Sequence, residues 1–161
     1  MGKDMEKVTF LGKEVKITDL TLHQAIYLAK QEFPKLYKET DGYNYTYANL
    51  GTMMETIQPT LDKFYLDLRH EPIGRLGTEK SFVGVKTTVT SMVSGVEMAV
   101  EFAHLTNSDD PQAMGSYQTY YRRYNLLCLF NLIPEKKLDD DGESVTKKRE
   151  VKPKTTVRKL T

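Results

Sequence analysis

The chain has 161 residues, an apolar content of 39%, a mean hydropathy of −0.51 and a net charge of +1. That is enough for one domain with a real core plus tails, and polar enough to suggest a disordered portion or a large wetted surface; no apolar run reaches the ~18 residues of a spanning helix, and residues 1–16 are charged rather than signal-like. The single cysteine, Cys128, excludes an internal disulfide and fits a reducing cytoplasm.

In chain order, residues 7–17 alternate about Gly12-Lys13, with Val8 and Phe10 followed by Val15 and Ile17, which reads as a small hairpin. Thr21 with Gln24 forms a capping box for a helix from Leu22 to Phe33, stopped by Pro34. Residues 35–42 read as a charged loop. A second helix starts at Tyr47 or Asn49 and runs to Lys63 on the spacing of Leu50, Met53, Met54, Ile57 and Leu61, with Pro59 as a possible kink near its end. Strands follow at 65–73, 81–93 and 96–105. Residues 74–80 form a loop and Ser94-Gly95 a tight reversal. The fold class expected is α+β: an antiparallel three-stranded β-meander packed against helices.

Residues 110–130 form the most informative segment. Asp110 caps the helix start and Pro111 suits its first position. At 100° per residue, Ala113, Tyr117, Tyr120, Tyr121, Tyr124, Leu127 and Cys128 fall on one side, which the pattern assigns to the core. Gln112, Gly115, Ser116, Thr119, Arg122 and Arg123 fall on the other. Small residues and donors beside two arginines at a capped helix start suit the approach of an anionic backbone. A solvated helix face is the alternative, as is an ion pair of Arg123 with Glu97 or Glu101.

Beyond residue 134 the periodicity is lost, and 135–161 read as a disordered tail, acidic at Asp139-Asp140-Asp141 with Glu143 and then basic. Residues 147–161 hold seven basic side chains and one acidic, leaving the body net acidic. A DNA path therefore has to be a local groove, and the basic end would add salt-sensitive affinity. The carboxylate run lacks spaced partners, so a catalytic metal site is not expected. Nor is one formed by His23, His70 and His104, which lie far apart and read as ordinary surface or satisfied histidines. No phosphate-cradling loop and no nucleophile elbow occur, which argues against an ATPase, a hydrolase or any other enzyme.

The segment from Asp110-Pro111-Gln112 through Gly115-Ser116 to Tyr121-Arg122-Arg123-Tyr124, followed by Asp139-Asp140-Asp141-Gly142, resembles the ERF family of phage single-strand DNA annealing proteins. So do Ala25–Pro34, Tyr43-Asn44-Tyr45-Thr46-Tyr47-Ala48-Asn49-Leu50 and Ile57–Lys63, in the same order. The resemblance covers about 22–142 and departs where Phe64-Tyr65-Leu66 follows Lys63. It implies a β-β-β-α core shared with eukaryotic annealing proteins, assembly into a ring or filament, and ATP-independent binding and annealing of single-stranded DNA in phage recombination.

On that reading the domains are an N-terminal hairpin (1–20), the annealing domain (21–134) and the tail (135–161). Arg122, Arg123, Gln118, Thr119, Ser116, Gly115 and Gln112 line one wall of the DNA path. Arg69, Arg75, Lys80 and Lys86 line a second, and Tyr43 and Tyr45 stack on bases. The implied partners are single-stranded DNA, the annealed duplex, further copies of the chain, and a single-strand-binding protein or exonuclease. Location is the host cytoplasm, with no membrane role. No cofactor is needed, Mg²⁺ entering only as a weak aid to annealing. A phage structural or adaptor oligomer without DNA activity is the competing expectation, and a nuclease lacks an ordered carboxylate–histidine set.

Overall fold

The computed structural model describes residues 6–42, 45–75, 80–107 and 110–136. The chain opens with an antiparallel hairpin of β1 (Lys7–Phe10) and β2 (Lys13–Lys16). Its reversal uses Leu11 and Gly12, both at positive φ, 50° and 76°, as a two-residue hairpin turn requires. Helix α1 (Leu22–Glu32) begins with the expected capping box: the Thr21 hydroxyl accepts from the Gln24 N–H and the Gln24 amide accepts from the Thr21 N–H.

Residues 35–42 are not simply a loop. Tyr37–Lys38 form β3, and Thr40–Gly42 form β4, which pairs antiparallel with β5 (Tyr45–Tyr47). The second helix, α2 (Leu50–Lys63), therefore starts after this hairpin, capped by the Asn49 side chain, which accepts from the Thr52 N–H. Asn49 Nδ2 in turn donates to the Thr40 hydroxyl, fixing the helix start to β4. Pro59 removes one intrahelical hydrogen bond, yet α2 continues past it to Lys63.

Tyr65, at φ 53°, turns the chain out of α2 into the meander. Strands β6 (Leu66–Arg75), β7 (Ser81–Ser91) and β8 (Glu97–Thr106) pair antiparallel in that order, as the alternation predicts. β6 starts one residue later and ends two residues further on than expected, and Met92 and Val93 belong to the reversal, which Gly95 closes at φ 72°. At Gly84, in the middle of β7, a Cβ would collide with the Phe102 carbonyl and the Ala103 Cβ, so glycine lets β7 and β8 close up.

Helix α3 (Pro111–Phe130) crosses one face of the sheet, on the Val83, Val85, Thr87 and Val89 side of β7. The main core lies at one end, where Leu22, Ile26 and Ala29 of α1, Met53, Ile57 and Leu61 of α2, Leu66, Val89, and Leu126 and Phe130 of α3 meet. The opposite sheet face carries no helix. There Glu71, Lys86 and Glu101 form a cross-strand row, and Phe82 and Leu105 form an exposed pair.

After α3, Glu135–Lys136 (β9) pair parallel with β3, and the Glu135 N–H donates to the Leu36 carbonyl. The expected irregular tail is thus anchored at its first two residues; its remainder lies outside the described residues.

Candidate nucleic-acid interface

The first turns of α3 hold the site. Asp110 accepts from the N–H groups of Gln112 and Ala113, so the helix starts where the sequence places it. Gln112, Gly115, Ser116, Thr119, Tyr120 and Arg123 then recur at three- and four-residue steps along one flank. Tyr47, carried by β5, stands opposite. Between them lies a cleft of about 600 Å³.

Among the described residues no acidic side chain lines this cleft. The Arg123 guanidinium sits 4.2 Å from the centre of the Tyr47 ring, and 5.6 and 5.5 Å from those of Tyr120 and Tyr124. Among the described residues Arg123 has no carboxylate partner. The expected ion pair with Glu97 or Glu101 does not form, because both lie in register with β7 residues on the helix-free face. A guanidinium stacked on tyrosine keeps its full charge and its edge donors. At the cleft floor, Ser116 Oγ donates to the Gln112 carbonyl and Thr119 Oγ1 to the Gly115 carbonyl, leaving their lone pairs outward. Nothing approaches the position of a Gly115 side chain. Tyr120 and Tyr124 lie 4.3 Å apart between ring centres, and the hydrogen bond to Tyr124, more than burial, raises the Tyr120 phenol above its ordinary pKa.

The helix wheel misplaces three side chains. Tyr120 and Tyr124 are 44% and 38% exposed, and Cys128 is exposed, where all three were expected in the core. The buried arc instead contains Asn125, Leu126 and Phe130, with Tyr117 and Tyr121 half-buried. Tyrosine and cysteine tolerate a wet edge, and Asn125 is buried because the sheet satisfies it.

The two arginines also part company. Gln118 faces a second hollow of about 310 Å³ with Met114, Pro72, Gly74 and Arg75, on the far flank of α3. Arg122, four residues on, lies on that same flank, close enough to His70 to disfavour its protonation. Arg69 and Lys86 lie on the helix-free sheet face beside Glu71, with Arg69 Nη2 3.5 Å from Glu71 Oε2. Arg75 ends β6 and Lys80 is exposed just before β7. The two walls expected to face each other are therefore not joined within one subunit. Gln112, Gly115, Ser116, Thr119 and Arg123 come together; Gln118, Arg122 and the strand cations do not join them. Tyr43 lies outside the described residues, as does the Tyr45 side chain. Tyr47 and Tyr120 are additions to the site; their signal was their spacing, Tyr120 falling four residues after Ser116 and three before Arg123.

Beneath α3 a buried polar chain ties helix to sheet. Asn125 Nδ2 donates to the Val85 carbonyl (2.8 Å) and to Thr87 Oγ1 (2.9 Å), and Thr87 Oγ1 lies 2.8 Å from His70 Nδ1. The Thr87 hydroxyl has a proton to give and a second lone pair to offer, so it satisfies Nδ1 of the neutral ring in either tautomer. Burial, with Arg122 second, lowers the His70 pKa to about 4. His104 Nδ1 is 2.7 Å from the Tyr121 hydroxyl, and its ring meets Tyr117 edge-on at 4.7 Å. Both histidines thus position α3, as ordinary satisfied roles would have them, although His70 Nε2 has no partner among the described residues.

Among the described residues no helix is long and apolar enough to cross a membrane. Comparison with curated proteins gives no match, and neither does comparison with solved structures. The family model of the ERF superfamily, by contrast, matches residues 22–160, from the first residue of α1 almost to the end of the chain. The chain belongs to the ERF superfamily and is a protein of the phage recombination and annealing type.

Proposed function

We propose that this protein binds single-stranded DNA along the Tyr47–Arg123 cleft and promotes its pairing with a complementary strand without ATP. What supports this reading is an arginine held over a tyrosine ring, with no carboxylate beside it among the described residues, next to a helix flank of glycine, serine and threonine. Annealing any two complementary strands requires indifference to sequence, so the protein has to grip phosphates and leave base edges readable. Arg123 and Gln112 offer the phosphate contacts, Ser116 and Thr119 add theirs once their hydroxyl protons turn from the helix carbonyls to a phosphate oxygen, and Gly115 admits the sugar–phosphate chain closely. Tyr120 and Tyr47 offer faces on which bases stack, worth about 1–3 kcal/mol each. Several copies, in a ring or filament, would multiply these weak contacts along a strand. The chain would work in the host cytoplasm with the duplex as product, alongside a single-strand-binding protein or an exonuclease, and with Mg²⁺ at most as an aid.

The test is a gel assay with two complementary oligonucleotides and no nucleotide cofactor. The protein should retard each single strand and speed duplex formation at modest ionic strength. If it does neither, the reading fails. A second reading, an assembly protein without DNA activity, draws on the helix-free sheet face, where Leu105 is 63% and Phe82 42% exposed. Sizing the protein with and without oligonucleotide separates the two.

A further inference from the structure

The cleft has a candidate occupant within the same chain. β9 pairs parallel with β3, Lys136 beside Lys38. Its anchorage includes the Glu135–Leu36 backbone hydrogen bond (2.8 Å) and an ion pair from Lys35 Nζ to Glu135 Oε2 (3.1 Å). Because the pairing is parallel, Glu135 and Lys136 run in the direction of β3, whose own chain leads on to Thr40, and Thr40 is paired with Tyr47, the wall of the cleft. One strand spacing, two residues of extended chain and a second strand spacing put Lys136 within about 17 Å of Tyr47. The acidic run starts at Asp139, three residues on, and reaches Glu143. At about 3.3 Å per residue these positions can extend about 10 and 23 Å from Lys136, which brackets that distance.

Charge complements reach. Asp139, Asp140, Asp141 and Glu143 put four carboxylates within five residues, while among the described residues the cleft holds one arginine and no acid. We propose that residues 139–143 occupy the Tyr47–Arg123 cleft as an intramolecular competitor for the phosphate backbone, so that DNA has to displace the chain's own acidic segment. This rests on the DNA-binding reading of the same cleft. A tether this short gives an effective concentration on the order of millimolar. A contact with a dissociation constant of about 0.1 mM would then be about nine-tenths formed and would weaken DNA binding about tenfold. The competitor would lower affinity for isolated short strands more than for long ones that engage many subunits.

Two experiments on the full chain test this. In the first, a nitroxide on D140C in a C128S background should broaden the backbone amide signals of Gly115, Ser116, Thr119 and Arg123 before any DNA is present, and a thymidine oligonucleotide should restore them. Sharp signals there, with broadening at the basic residues 147–159, would mean that the acidic run pairs with the chain's own basic end, and the proposal is overturned. In the second, the variant D139N/D140N/D141N/E143Q should bind the oligonucleotide about tenfold more tightly. A variant with residues 139–143 moved behind Thr161 keeps the composition and net charge and should show most of the same gain. If it binds like the parent, charge alone and not the tether is responsible, and the proposal falls. If the cleft signals broaden but no variant retains DNA, the competitor contact stands and the DNA-binding reading fails instead.

Discussion

The guanidinium of Arg123 lies over the ring of Tyr47, 4.2 Å from its centre, and joins the end of a short β-hairpin to the fourth turn of α3. This contact sets where the one cation of the cleft points. Tyr47→Phe should keep it. Tyr47→Ala should weaken binding of single-stranded DNA about fivefold, the size of a partly exposed cation–π contact of about 1 kcal/mol. Arg123→Lys, which keeps the charge but not the planar stack, should fall between Tyr47→Phe and Arg123→Ala. Fluorescence anisotropy with a labelled oligonucleotide measures all four; equal affinities for Tyr47→Ala and the parent would remove the stack from the site.

Arg122 and Arg123 are adjacent in sequence but serve opposite flanks. Arg123→Ala should lower the slope of log affinity against log salt by about one. Arg122→Ala should leave that slope nearly unchanged and instead let the His70 pKa rise, since the guanidinium helps keep the ring neutral. Titrations at several salt concentrations, with NMR of the His70 ring, separate the two effects.

Gly115 separates stability from binding. Apart from its chain neighbours and the backbone of its own helix, nothing among the described residues lies within 4 Å of where its Cβ would stand, so Gly115→Ala removes a helix-weakening residue without a clash. The helix should gain about 0.5–1 kcal/mol, seen as a higher melting temperature. The added methyl would sit on the cleft floor, and affinity for single-stranded DNA should drop. A variant both more stable and equally tight would show that the strand does not approach there.

Acid should loosen the seat of α3. The His70 pKa is about 4 in the folded chain and near 6.5 once unfolded. Between those values the unfolded chain binds the extra proton, so stability falls as pH drops from 6.5 toward 4 and the loss is complete below that. His70→Gln should flatten this part of the pH–stability profile in denaturant melts. Asn125→Ala removes two hydrogen bonds from a fully buried side chain and should cost about 2–3 kcal/mol at neutral pH.

The meander was legible because apolar and β-branched residues recur at every second position, as Val83, Val85, Thr87 and Val89 do on one side of β7 against Phe82, Lys86 and Thr90 on the other, although Gly84 and Thr88 on that second side are buried too. The caps of α1 and α3 were legible because Thr21, Gln24, Asp110 and Pro111 act on their own backbone. The β4–β5 hairpin was not, since Thr40-Asp41-Gly42 has no apolar alternation, and β3–β9 was not, since its partners are distant in the chain. The helix wheel erred at Tyr120 and Tyr124 because it scores tyrosine as core, while a phenol sits well at a wet edge. Of the candidate site, Gln112, Gly115, Ser116, Thr119 and Arg123 could be read from spacing alone. That Arg122 and Gln118 turn away depends on which arc of α3 meets the sheet, and Asn125, a polar residue, decides that arc.

One asymmetry in α3 has a dynamic consequence. Its fully buried residues, Asn125, Leu126 and Phe130, all belong to its C-terminal half, whereas the turns from Gln112 to Tyr120 touch the rest through half-buried rings and a single histidine. Amide hydrogen exchange should therefore slow steadily from Gln112 toward Phe130, with the helix breathing from its capped end. The wall of the cleft is thus the least costly part of the helix to shift, so it can adjust to a strand of irregular shape while the core behind it stays closed.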